Sequence, residues 1–174
     1  MLNHRTRKNS ISSVLVNSAY VEEVNSVKQA ARDHFSKRFY VENTCRPELD
    51  FTGINRLSVE DVIVLEEKFC VEEIREVIFE EDENKSLGPD GFNVKFIKRC
   101  CDIVGKEVVD CINEFHDSTW LPKVISSSFL ALIPKKENPQ SFDDYRPITL
   151  IGCIYKIVSK VLAAKLKRAM GKLI

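Results

Sequence analysis

No stretch of this chain stays apolar long enough to cross a bilayer, because Lys156 and Lys160 interrupt the longest candidate run well short of the ~20 residues a spanning helix needs. The N-terminus, MLNHRTRKNS, has no apolar core before a small-residue cleavage site, so secretion is not expected. The six cysteines, Cys45, Cys70, Cys100, Cys101, Cys111 and Cys153, form no CxxC pair, which argues against a zinc ribbon. They read as reduced, mostly buried thiols of an intracellular protein. Cys101, Cys111 and His116 come nearest to a ligand spacing but fall on a helical pattern. The three histidines, His4, His34 and His116, are scattered and compose no nucleophile-and-base arrangement. Glycine and proline are few, six of each, and the chain is 44% hydrophobic, which suits a folded domain rather than a disordered one. No internal repeat or low-complexity tract is present.

What is present is a charge split concealed by a net charge of zero. Residues 1 to 84 hold 11 basic and 17 acidic side chains, whereas residues 118 to 174 hold 10 basic and 3 acidic ones. A polyanionic partner would meet the C-terminal third first, although a solvated basic helix face has the same composition.

Periodicity outlines a mostly helical chain. Residues 1 to 19 read as an irregular tail. Positions Val21, Val24, Val27, Ala31, Phe35 and Phe39 mark a helix starting near Tyr20, and Asn43 to Asn55 breaks it. Ser58 with Asp61 resembles a capping box opening a short helix at Val59. Val71 to Glu81 is a further helix, whose acidic C-terminal end opposes the helix dipole and should fray. In KSLGPDGF, Gly88, Pro89, Asp90 and Gly91 form a rigid turn: proline presets φ, Asp90 suits the next position, and Gly91 relieves the last. No GK[ST] follows, so it is not a P-loop. Lys85 and the following helix terminus could face an anion. One long helix is expected from Val94 to Phe115, a buried strand at Phe129 to Ile133, extended chain at Pro147 to Leu150, and a basic amphipathic helix from Gly152 to Met170. The fold class is α+β with helix dominant.

Lys135 and Lys136 leave the end of the strand, and Arg146 returns after a loop. Pro147 disfavours the helical region for Arg146 and holds it on extended chain. Such cations at a hairpin tip can clamp a triphosphate or a template backbone, with Lys156 and Lys160 extending the positive field; an exposed hairpin with solvated lysines reads the same way. Asp143 and Asp144 are adjacent acids in a polar loop, better suited to a turn than to a two-metal site.

Three blocks occur in order: KSLGPDGFNVKFIK (85 to 98), FLALIPKKENP (129 to 139) and DDYRPITLIGCIYKIVSKVLAAKLK (143 to 167). Together they resemble the N-terminal part of reverse transcriptases from LINE-type, non-long-terminal-repeat retrotransposons, especially plant ones. The likeness is strong over 85 to 174, and residues 20 to 84 look like the helical linker preceding the polymerase. The resemblance implies a partial right-hand polymerase: fingers with a short β-hairpin and no palm. It further implies that Lys135, Lys136 and Arg146 approach template and incoming nucleotide, that Lys85, Lys156 and Lys160 contact nucleic-acid backbone, and that the GPDG turn braces the template. Leu87 departs from the family, where proline is usual. RNA template, DNA primer, deoxynucleotide and Mg2+ belong to the complete family enzyme. Its palm aspartates are expected beyond Ile174, so this chain alone is expected neither to bind metal nor to polymerise. A non-catalytic RNA- or DNA-binding helical module and an inert remnant of a decayed element are the other readings. Apolar faces left open without a palm would favour self-association.

Overall fold

The computed structural model describes residues 11–40 and 56–173, together with Gly53. The expected break at 43–55, Cys45 and His4 lie outside the described residues, Gly53 apart. The fold is α+β and mostly helical, with two two-stranded sheets. Its contacts divide it into two compact units, one comprising residues up to Leu49 with Leu130–Ile148, the other Asp50–Phe129 with Thr149–Ile174.

The first unit opens with a hairpin where irregular chain is expected. Strands β1 (Val14–Val16) and β2 (Ala19–Val21) pair antiparallel, Val14 opposite Val21 and Val16 opposite Ala19. Asn17 and Ser18 both take positive φ, 48° and 67°. That geometry matches the strand twist, and asparagine tolerates it better than most residues. Helix α1 (Val24–Phe39) therefore begins later than Tyr20. Its N-cap is Glu23, whose carboxylate accepts from the amides of Asn25 (3.0 Å) and Ser26 (2.6 Å). A small core of Val14, Val27, Phe35 and Phe142 joins hairpin, helix and the short 3-10 helix Phe142–Asp144. Gln140 links the loop to the hairpin, its carbonyl accepting from the Leu15 amide and its side chain from the Tyr20 hydroxyl.

The second unit packs α2 (Val59–Glu66), α3 (Val71–Glu80), α4 (Val94–Arg99), α5 (Cys101–Ser118), α6 (Lys123–Ser126) and α7 (Cys153–Leu173) around one core. Ile74, Ile112 and Ile157 are fully buried there, each contributing about 1.5–3 kcal/mol by leaving water. Ser58 caps α2 through the Asp61 amide as expected. At α3 a capping box forms between Cys70 and Glu73.

Three expectations are corrected, two in this unit and one in the strands β3 and β4. Helix α3 does not simply fray at its acidic end, because the Lys98 ammonium donates to the carbonyls of Phe79 (2.9 Å) and Glu81 (2.8 Å). A cation on these open carbonyls offsets the unfavourable acids. The long helix divides at Cys100 (φ −104°, ψ 16°), and both halves turn apolar residues, Val94 and Ile97, then Val108 and Ile112, into the core. Strand β3 (Ser128–Pro134) pairs with β4 (Tyr145–Ile151), but the run is not buried: Phe129, Leu130, Ile133 and Ile148 are exposed. Two strands offer two faces, and Leu132 and Tyr145 turn the packed one inward.

Candidate nucleic-acid interface

The GPDG turn has a structural assignment that its composition alone does not disclose. The Gly91 amide donates to the Gly88 carbonyl (3.1 Å) and Gly91 takes φ 70°, closing the turn. Asp90 then reaches across the sequence: its carboxylate accepts from the amide of Cys153, the first residue of α7. An anion at a helix N-terminus satisfies an otherwise open N–H and complements the dipole. Both neighbouring glycines follow from this contact. A β-carbon on Gly88 would overlap the Ile151 carbonyl, and one on Gly152 would lie 2.8 Å from the Asp90 carboxylate. Burial pushes the Cys153 thiol up to about 11, so it stays protonated and unreactive.

Lys85, Lys156 and Lys160 are brought to the same part of the second unit, each with an acceptor. Lys85 and Lys160 share the Glu81 carboxylate, and the Lys156 ammonium donates to the Ser86 carbonyl at 2.7 Å. Glu81 is a buried acid, and the hydrogen bond from Lys85 holds its pKa below the usual carboxylate value. Further along α7, Lys165 donates to the Glu67 carbonyl and sits over the Phe69 ring, Arg168 pairs with Glu73, and Lys172 with Asp61. The charge split therefore closes on itself: much of the cationic face of α7 neutralises the acidic α2 and α3.

In the first unit the hairpin loop treats its cations unequally. The Lys135 amide donates to the Asp144 carbonyl (2.8 Å), and its ammonium to the Asp143 carbonyl (2.7 Å). Lys136 pairs with the Asp144 carboxylate at 2.8 Å. Arg146 is exposed on β4, and among the described residues nothing bonds its guanidinium. Extending the register of the Lys135–Asp144 bond along an antiparallel ladder sets Arg146 opposite Ile133.

The paired acids do not suit a metal. Asp144 is occupied by Lys136 and by the amides of Gln140 (2.9 Å) and Ser141 (3.1 Å), whereas Asp143 faces Arg38 at 3.1 Å and His34 at 3.7 Å. Neither is left to share an ion with the other. The bond from Lys136 and those two amides lower the Asp144 pKa to about 2. A depressed carboxylate stabilises the fold above its unfolded value, near 4, and that contribution fades as pH falls toward 2. The Asp144 carboxyl resonance should therefore titrate with a midpoint near 2, and in Lys136→Met the midpoint should rise; titration near 4 in the wild-type chain would refute the pairing.

Sequence reasoning missed Glu81 as a shared counter-ion, Arg38 and His34 as partners of Asp143, and the groove they border. That groove, about 860 Å³, is lined by His34, Lys37, Arg38, Asp33 and Asp143 among others. The spacing of Arg38 four residues after His34 puts both on one helix face, but nothing in the sequence ties that face to the loop.

No protein-family model matches the chain. It is 25% identical over 158 residues to a Xenopus laevis protein described as the transposon TX1 uncharacterized 149 kDa protein, an alignment that takes in 88% of this chain. The chain spans 12% of that relative's length. It is thus distantly related to a transposon-encoded protein.

Proposed function

We propose that the chain is the fingers portion of a LINE-type reverse transcriptase, contacting template and incoming nucleotide while the magnesium-binding carboxylates lie in another part of the enzyme. The observation that carries this reading is the ordered set of three blocks, within a chain related over most of its length to a transposon protein. Arg146 suits the triphosphate contact, since it is a cation on rigid extended backbone with no internal partner among the described residues. Lys135 and Lys136 leave the end of the strand that pairs with β4, eleven and ten residues before Arg146, and meet the template strand by exchanging the Asp143 carbonyl and the Asp144 carboxylate for phosphate. Lys85, Lys156 and Lys160 act on the backbone by the same exchange, at Glu81 and Ser86. The chain on its own supplies binding and positioning; magnesium, in the complete enzyme, supplies the charge stabilisation of nucleotidyl transfer.

The test is Arg146→Ala. Affinity for a fluorescent deoxynucleotide in the presence of primer–template should fall about tenfold, the size expected for a lost charge-assisted bond. An unchanged affinity refutes the assignment and leaves a plain nucleic-acid-binding module. The 174-residue chain should extend no primer when magnesium is added, and any extension contradicts the division of labour proposed here.

A further inference from the structure

Two rings stand in the open immediately after the GPDG turn. Phe92 and Phe96 stack with centroids 4.7 Å apart and planes 26° from parallel, and they are 47% and 38% exposed. The core does not account for them, because the inward face of α4 is filled by Val94 and Ile97. The backbone around both is fixed. The Phe92 amide donates to Asp90 (3.2 Å), and the Phe96 amide to Asn93 (3.0 Å), which caps α4. The main chain that carries the pair is therefore held before anything binds, so backbone freedom adds little to the cost of stacking.

Lys95 and Arg99 are near the rings in sequence, and the nearby Asp90 carboxylate is already engaged by the Cys153 and Phe92 amides. Arg99 follows Phe96 by three residues, so it neighbours that ring on the helix surface; it is exposed and, among the described residues, has no ion-pair partner. Lys95 is only loosely tied to Glu83, at 3.9 Å. Phe79 shows what an engaged ring looks like here, with Arg75 5.6 Å and Lys98 6.0 Å from its centroid. No cation lies over Phe92 or Phe96 among the described residues.

We infer that Phe92 and Phe96 are a stacking platform for an unpaired base of a single-stranded nucleic acid, with Arg99 taking an adjacent phosphate. This rests on the reading that the chain works on nucleic acid. Exposed aromatics flanked by cations suit such strands because every base presents a π-face, whereas a duplex keeps its bases stacked internally.

The experiment uses the whole chain and two labelled oligonucleotides of about 16 residues, an oligoadenylate and an abasic strand of equal charge, read by fluorescence anisotropy over a salt series. Phe92→Leu keeps an apolar side chain but removes the π-face, and should weaken oligoadenylate binding roughly tenfold while leaving the abasic strand unaffected. Phe92→Tyr should bind as the wild type does. Arg99→Gln should weaken both strands and reduce the slope of log affinity against log salt by about 0.7. The platform is refuted if Phe92→Leu matches wild type on oligoadenylate, or if it loses equally on both strands. Unchanged oligonucleotide binding with lost self-association would identify a protein as the occupant and also refutes it. If wild type binds neither strand, this inference and the fingers reading fall together. If Phe92→Leu behaves as expected while Arg146→Ala leaves nucleotide affinity intact, only the fingers assignment falls.

Discussion

Gly88→Ala should destabilise the second unit by about 3 kcal/mol, near the upper end of ordinary overpacking, and lower the melting temperature by roughly 10 °C or more. The reason is what the new methyl group meets. It would overlap the Ile151 carbonyl, backbone held in β4, and no rotamer change relieves it. Gly91 is the informative comparison. Its φ of 70° also favours glycine, but a β-carbon there has nothing within 4 Å, so Gly91→Ala should cost only the left-handed conformation, about 1–2 kcal/mol. Denaturant titration of the two variants separates close approach from conformational freedom. Equal losses would show that the turn does not pack against the start of α7.

Asp90→Ala should cost about 2 kcal/mol, since it removes a charged acceptor that serves the amides of both Cys153 and Phe92. Asp90→Asn keeps an acceptor and should lose less than half of that. The local signature is amide exchange, which should quicken in the first turn of α7 in the alanine variant and hardly change in the asparagine variant. If both exchange like wild type, the reach of Asp90 to α7 is wrong. Together the two glycines and the aspartate explain why GPDG and the later LIGC belong to one structural device although about sixty residues separate them.

Periodicity made the long elements legible. Val94 to Ile112 and Ile154 to Val161 repeat at helical spacing over several turns, and Ser58 announced its own helix. The β1–β2 hairpin was illegible because three-residue strands are shorter than any periodic window, and its one signal, Asn17–Ser18, lacks the glycine that usually marks such a turn. The exposure of Ile133 and Ile148 was equally hidden, since an apolar run reads alike whether a second layer covers it or not. In the candidate site, residue types were readable but partners were not. Lys135, Lys136 and Arg146 look equivalent as a sequence of cations. Only the hydrogen bonds of Asp143 and Asp144 distinguish two restrained ammonium groups from an open guanidinium.

The mutual neutralisation of α7 by α2 and α3 bears on how a nucleic acid would find this surface. With no net monopole and cations seated against anions, the potential felt a Debye length away, about 8 Å at physiological salt, is weak. Encounter is then governed by unassisted diffusion and orientation, with rate constants nearer 10⁵–10⁶ M⁻¹ s⁻¹ than the far faster values of strongly steered pairs. On the proposed function, capture would be a short-range event, decided after contact by which carboxylates give up their lysines.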